Sequence, residues 1–157
     1  MNELTSNYWY FDNNIVTENN IPTDAVGFVY IITELSSNKK YIGKKLLYSN
    51  KISVKTIIIK SGPNKGLKKK KKIRIPIWSD WQEYYGSSFE LKESVKLLGI
   101  DNYRRDIVKF CKSKSDLSYT EAKVQFETDC LLKPDEYINA WISCRIRRDH
   151  LIKKKIL

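Results

Sequence analysis

The chain has 157 residues, 41% hydrophobic and 30% charged, enough for one domain with a core and too few for two of ordinary size. Lys and Arg outnumber Asp and Glu by 29 to 18, and the single histidine, His150, excludes His-based triads and multi-histidine metal sites. No apolar run approaches the ~20 residues that span a bilayer and no basic start precedes an apolar stretch, so a non-membrane, intracellular protein is expected.

Residues 1–26 read as a polar N-terminal arm, with Tyr8, Trp9, Tyr10 and Phe11 expected to dock as a short edge strand. The run 27–33 (GFVYIIT) is β-branched and aromatic, ELSSNKK has turn composition, and 41–47 (YIGKKLL) resumes the extended pattern, which predicts an antiparallel hairpin. Two-residue alternation places Tyr41, Gly43 and Lys45 on one face of its second strand.

Residues 51–77 read as an inserted hairpin: VKTIIIK, the turn signal SGPNKG, then LKKKKKIRIPI, with Pro76 marking an edge or an end. From Lys44 to Ser79 there are twelve Lys or Arg and no Asp or Glu, leaving seventeen basic against eighteen acidic residues elsewhere. A cationic strip on a nearly neutral body is the signature of a polyanion-binding surface, because each phosphate neutralised releases condensed counterions. The competing reading is a solvated lysine run. The cations expected at the polyanion are Lys44, Lys60, Lys65, Lys68, Lys69, Lys70, Lys71, Lys72 and Arg74; backbone contact and insertion into a groove as a two-stranded ribbon are both open.

Ser87 and Glu90 have capping-box spacing, and Leu91, Val95 and Leu98 recur at helical intervals before Gly99, which predicts a helix. Residues 102–111 (NYRRDIVKFC) read as a third strand, and a second helix is expected over 116–132, with Ser115 as its cap and Pro134 beyond its end. Trp78, Trp81, Tyr84 and Tyr85 either fill the core or stack on bases. Cys111, Cys130 and Cys144, odd in number and widely spaced, are expected as reduced, partly buried residues. Residues 141–157 read as a basic C-terminal tail, a further source of phosphate contacts.

GFVY at Gly27 to Tyr30 and YIG at Tyr41 to Gly43, followed by a glutamate-bearing helix and the asparagine of YIN, resemble the GIY-YIG nuclease superfamily over residues 27–139, in a phage-borne subgroup. The resemblance implies an α+β fold over 27–140: a three-stranded, mainly antiparallel sheet flanked by helices, here with an inserted basic β-hairpin. It also implies an endonuclease that hydrolyses phosphodiester bonds in double-stranded DNA with Mg²⁺ (or Mn²⁺), working in the cytoplasm of a bacterial host if phage-encoded. Tyr30 and Tyr41 carry over as the tyrosine pair, Tyr30 slightly preferred beside the nucleophile, and Asn139 as the residue tying the helix end to the sheet. Gly43 would permit close packing beside Tyr41.

The metal-holding glutamate is Glu121 or Glu127. At ~100° per residue Glu121 falls among Leu117, Val124, Leu131 and Leu132, where an unpartnered carboxylate is costly, whereas Glu127 lies near Thr120 and Lys123 on a polar side. Glu121 is preferred, although Glu127 precedes Asn139 by twelve positions, a separation similar to that in several family members. Relatives carry an arginine a few residues after YIG to clamp the scissile phosphate, and here KKLLYSN stands instead. Lys45 is the first substitute and Arg105 the second. The missing arginine sustains an alternative, a catalytically inactive nuclease-like module that binds DNA or a partner. A third reading, an RNA-binding protein, would need exposed stacking platforms rather than a carboxylate beside two tyrosines.

Overall fold

Runs of β-branched and aromatic residues favour strands that bury one or both faces, and the structure, a computed structural model describing residues 8–144, follows that rule. In chain order it contains β1 (Trp9–Phe11), β2 (Asn14–Ile15), β3 (Gly27–Glu34), β4 (Lys40–Leu46), β5 (Tyr48–Ile58), β6 (Lys68–Trp78), α1 (Phe89–Leu98), β7 (Tyr103–Cys111) and α2 (Lys114–Glu127). The tail from residue 145, with His150, lies outside the described residues.

The most apolar run becomes an interior strand. β3 is antiparallel to both β4 and β7, with Tyr30 opposite Gly43 on one side and Ile107 on the other. This is the expected three-stranded core, but the sheet has five strands, in the order β2-β1-β7-β3-β4, and is mixed, because β1 adds parallel to β7. Packing drives the addition. Trp9 is buried edge-on against Phe28 and Tyr30, with ring centroids 5.0 and 5.1 Å away, and its indole N–H donates to the Trp81 carbonyl at 2.7 Å. β1 is therefore not the edge. Asp12 and Asn13, both at positive φ (49° and 62°), turn the chain back so that β2 takes that place, a tight hairpin turn in which Asp and Asn are favoured.

Each face of the sheet receives one helix. Phe28, Tyr30 and Ile32 of β3 meet Leu91 and Val95 of α1, together with Trp9, Trp81, Tyr103 and Ile107. Val29, Ile42 and Cys111 meet Leu117 of α2 and Cys130 on the other face. The predicted α1 is present, but its cap is Ser88, whose hydroxyl accepts from the Leu91 N–H, rather than Ser87. α2 starts and stops earlier than expected. Ser113 accepts from the Asp116 N–H while the Asp116 carboxylate accepts from the Lys112 N–H, which fixes the start, and Asp129 at φ 54° lies just past the end.

Residues 48–79 form a separate compact unit. β5 and β6 pair antiparallel without a break from Tyr48↔Trp78 to Ile58↔Lys68, and the Tyr48 and Trp78 rings stack at 4.5 Å. No described helix is long and apolar enough to cross a membrane.

Candidate active site

The site begins with a missing side chain. Because Tyr30 and Gly43 are cross-strand partners, a Cβ at Gly43 would stand 2.5 Å from the Tyr30 hydroxyl oxygen and 3.0 Å from the Tyr41 ring. Glycine is what lets the two phenols share one face, with ring centroids 6.3 Å apart. A third phenol, Tyr84, meets the Tyr30 ring edge-on at 6.0 Å, and the Tyr41 hydroxyl lies 3.1 Å from Ser87 Oγ.

The outer edge of β4 would expose unpaired backbone groups, and Asn139 closes it. Its side-chain oxygen accepts from the Ile42 N–H at 2.9 Å, its amide donates to the Ile42 carbonyl at 2.8 Å, and Gln125 of α2 donates to the same carbonyl at 3.3 Å. A backbone pair between Lys40 and residues 136 and 138 extends this seam. The Asn139 segment and α2 are thereby held against β4, and a cavity of about 660 Å³ opens there, lined by Tyr41, Lys44, Tyr84, Ser87, Glu121, Gln125, Asn139, Phe89 and Trp141 among others.

Glu121 reaches this cavity from α2 with its side chain 15% exposed, and Lys44 Nζ sits 2.8 Å from its carboxylate while donating to Ser118 Oγ at 3.0 Å. Glu127 points elsewhere, 61% exposed and 3.6 Å from Lys123. Tyr41 faces the cavity, whereas Tyr30 is buried behind it and is not part of the lining. Burial, then the Tyr84 and Tyr41 phenols and the Glu121 carboxylate, push the Tyr30 phenol well above its ordinary value. Tyr41 is also raised, first by burial, with Ser87 pulling the other way. Both are protonated at neutral pH.

The two expected substitutes for the family arginine do not line the cavity. Lys45 is 2.6 Å from Asp80 and 3.8 Å above the centroid of the Tyr84 ring, and its hydrogen bond holds the Asp80 carboxyl below the usual carboxylate range. Arg105 is fully buried: it donates to the carbonyls of Gln82 and Tyr84 at 2.8 and 3.1 Å and lies over the Trp9 and Tyr85 rings. It fixes the segment that carries Tyr84 instead of meeting solvent. The cation that does line the cavity is Lys44, read from sequence only as part of the polyanion-binding strip. Tyr84 and Ser87 were likewise missed as site residues, and their position between Trp81 and the α1 cap was the available signal.

A family model described as putative endonuclease segE, GIY-YIG domain, matches residues 9–142. The chain belongs to the GIY-YIG endonuclease family. No curated protein and no solved structure matches it. The GIY-YIG match begins at Trp9, the first residue of β1, so the aromatic strand outside the expected three-stranded core lies within the family domain. The inserted ribbon is also inside the matched span. In GIY-YIG terms the half-motifs are β3 and β4, and Gly43 is the glycine beneath both tyrosines.

Proposed function

We propose that this GIY-YIG protein is a divalent-metal-dependent endonuclease acting on double-stranded DNA. The observation that supports this most is the meeting of Tyr41, Lys44, Glu121 and Asn139 around one cavity, from strand, helix and C-terminal segments far apart in sequence. Glu121 lines that cavity only 15% exposed and paired with Lys44, and a partly buried carboxylate set in a cleft beside a specific charge partner is a common mark of a functional site.

Among the described residues no three His, Cys, Asp or Glu side chains cluster as a metal cage. Glu121 would hold Mg²⁺ or Mn²⁺ in the manner usual for Mg²⁺, through one or two carboxylates, with water and substrate phosphate as the remaining ligands. When bound, such an ion neutralises charge developing on the phosphoryl oxygens. Lys44 supplies a fixed positive charge at the same place. Tyr41, still protonated, orients the attacking water through its hydroxyl, and Ser87 holds that hydroxyl in position. Tyr30 stands behind Tyr41, and Tyr84 lines the cavity beside it with Lys45 over the Tyr84 ring. The exposed cations of β6 and its turn contact the DNA backbone.

One observation favours the alternative, an inactive nuclease-like module: Lys44 already neutralises Glu121 at 2.8 Å, where an active site would place a metal. Supercoiled plasmid separates the two. With Mg²⁺ or Mn²⁺ the protein should nick or linearise plasmid, chelator should abolish this, and Tyr41→Phe should slow it by about 10²-fold. Intact plasmid with either metal would overturn the nuclease reading and favour the binding module.

A further inference from the structure

The β5–β6 ribbon is unusual in how it distributes its side chains. Opposite residues in the register share a face, so one face carries Lys68, Lys70, Lys72 and Arg74 of β6 across from Ile58, Thr56, Val54 and Ile52 of β5. The other face carries Lys69 and Lys71 across from Ile57 and Lys55, with Ile73 and Ile75 nearer the base across from Ser53 and Lys51. A ribbon resting on a protein body has one apolar and one polar face. A ribbon lying flat along a single phosphate backbone needs cations on one face only. This ribbon has neither pattern: both faces mix cations with aliphatics, it contains no acid, and Ile52, Val54 and Ile58 are 55–60% exposed.

From this arrangement we infer that the ribbon enters the major groove of duplex DNA edge-on, with β5 toward the groove floor and β6 between the two phosphate walls. The inference rests on the DNA-cutting reading for its partner but not on the chemistry of the site. Cations are concentrated on β6 and alternate between its faces, so each wall meets its own row. The aliphatic row of β5 then meets base edges, where the thymine methyl is the apolar contact available. Dimensions agree, since strands lie ~4.8 Å apart and the major groove is about 12 Å wide and 8.5 Å deep, whereas the minor groove is only about 6 Å wide. A two-stranded ribbon is marginal in water by itself, and the groove supplies a packing surface.

The test is the salt dependence of binding by the full chain to a short duplex, measured by fluorescence anisotropy in chelator so that no cutting occurs. Two variants remove the β6 charges of each face: Lys68→Gln with Lys70→Gln and Lys72→Gln for one, and Lys69→Gln with Lys71→Gln for the other. At ~0.9 per lost phosphate contact, the slope of log K against log salt should become shallower by about 2.7 and about 1.8 respectively. The matching Lys→Arg variants should restore it, which excludes misfolding as the cause. A change confined to one face overturns the edge-on placement, and no change with either removes the ribbon from the DNA. Competition adds the groove: methyl green, in the major groove, should displace the protein and the minor-groove ligand netropsin should not, and the reverse overturns the assignment. Plasmid cleavage measured in parallel separates the two readings. Cutting with a one-faced slope defeats this inference alone, and two-faced slopes without cutting defeat only the nuclease.

Discussion

At the scale of single residues the site depends on a glycine and on where each charge is held. Gly43→Ala would drive a methyl into the Tyr30 hydroxyl at 2.5 Å, and both neighbours are rings on paired strands that cannot swing away. Overpacking of this kind costs about 1–3 kcal/mol. We predict that loss in urea denaturation, with a fall in plasmid cleavage at temperatures where the variant remains folded; unchanged cleavage would show that the phenol positions do not matter. Gly43, the tyrosines and Asn139 were legible in the sequence because each belongs to a short motif. The charges were not. Lys44 and Lys45 are adjacent and chemically identical, and only the packing of α2 and of residues 80–84 against β4 decides which lines the cavity. Arg105 was expected to stand in for the phosphate-clamping arginine because nothing local reveals that two rings and two carbonyls from distant segments enclose it.

At the scale of elements, the neighbouring serines before α1 divide stability from function. Ser88 caps the helix and Ser87 holds Tyr41. Ser88→Ala should cost about 1 kcal/mol of stability. Ser87→Ala should leave the melting temperature unchanged and slow cleavage by roughly 2- to 10-fold, the worth of one hydrogen bond. Equal melting losses would show that both serve the helix.

α2 has an analogous test by pH. Burial pushes Asp116 up, but the Lys112 N–H together with Lys109 and Thr120 hold its carboxyl below the ordinary value. A carboxyl lowered on folding contributes stability above its unfolded pKa of about 3.9 and loses it as pH falls through the lower folded value. Asp116→Asn should therefore lower the urea midpoint at neutral pH and flatten the decline below about pH 4. A decline identical to that of the parent would contradict the assignment. Periodicity revealed α1, α2, β3, β4, β7 and the ribbon. The aromatic cluster announced β1 as a short strand, but not that β2 would take the edge beyond it, because strands of three and two residues carry no period and their pairing depends on Trp9 finding a core formed by later segments.

At the scale of the whole molecule, two compact units carry different loads. One assembles a carboxylate, a lysine and a phenol around a cavity, and the other concentrates cations on a ribbon. Under the proposed function, Glu121 and not Glu127 holds the metal on which cleavage depends. Single-turnover cleavage of plasmid in Mg²⁺ by Glu121→Gln and Glu127→Gln, side by side, tests it most directly. Glu121→Gln should abolish cutting, while Glu127→Gln should cut at the parent rate. Cutting by Glu121→Gln at the parent rate, or its loss in Glu127→Gln alone, would contradict it.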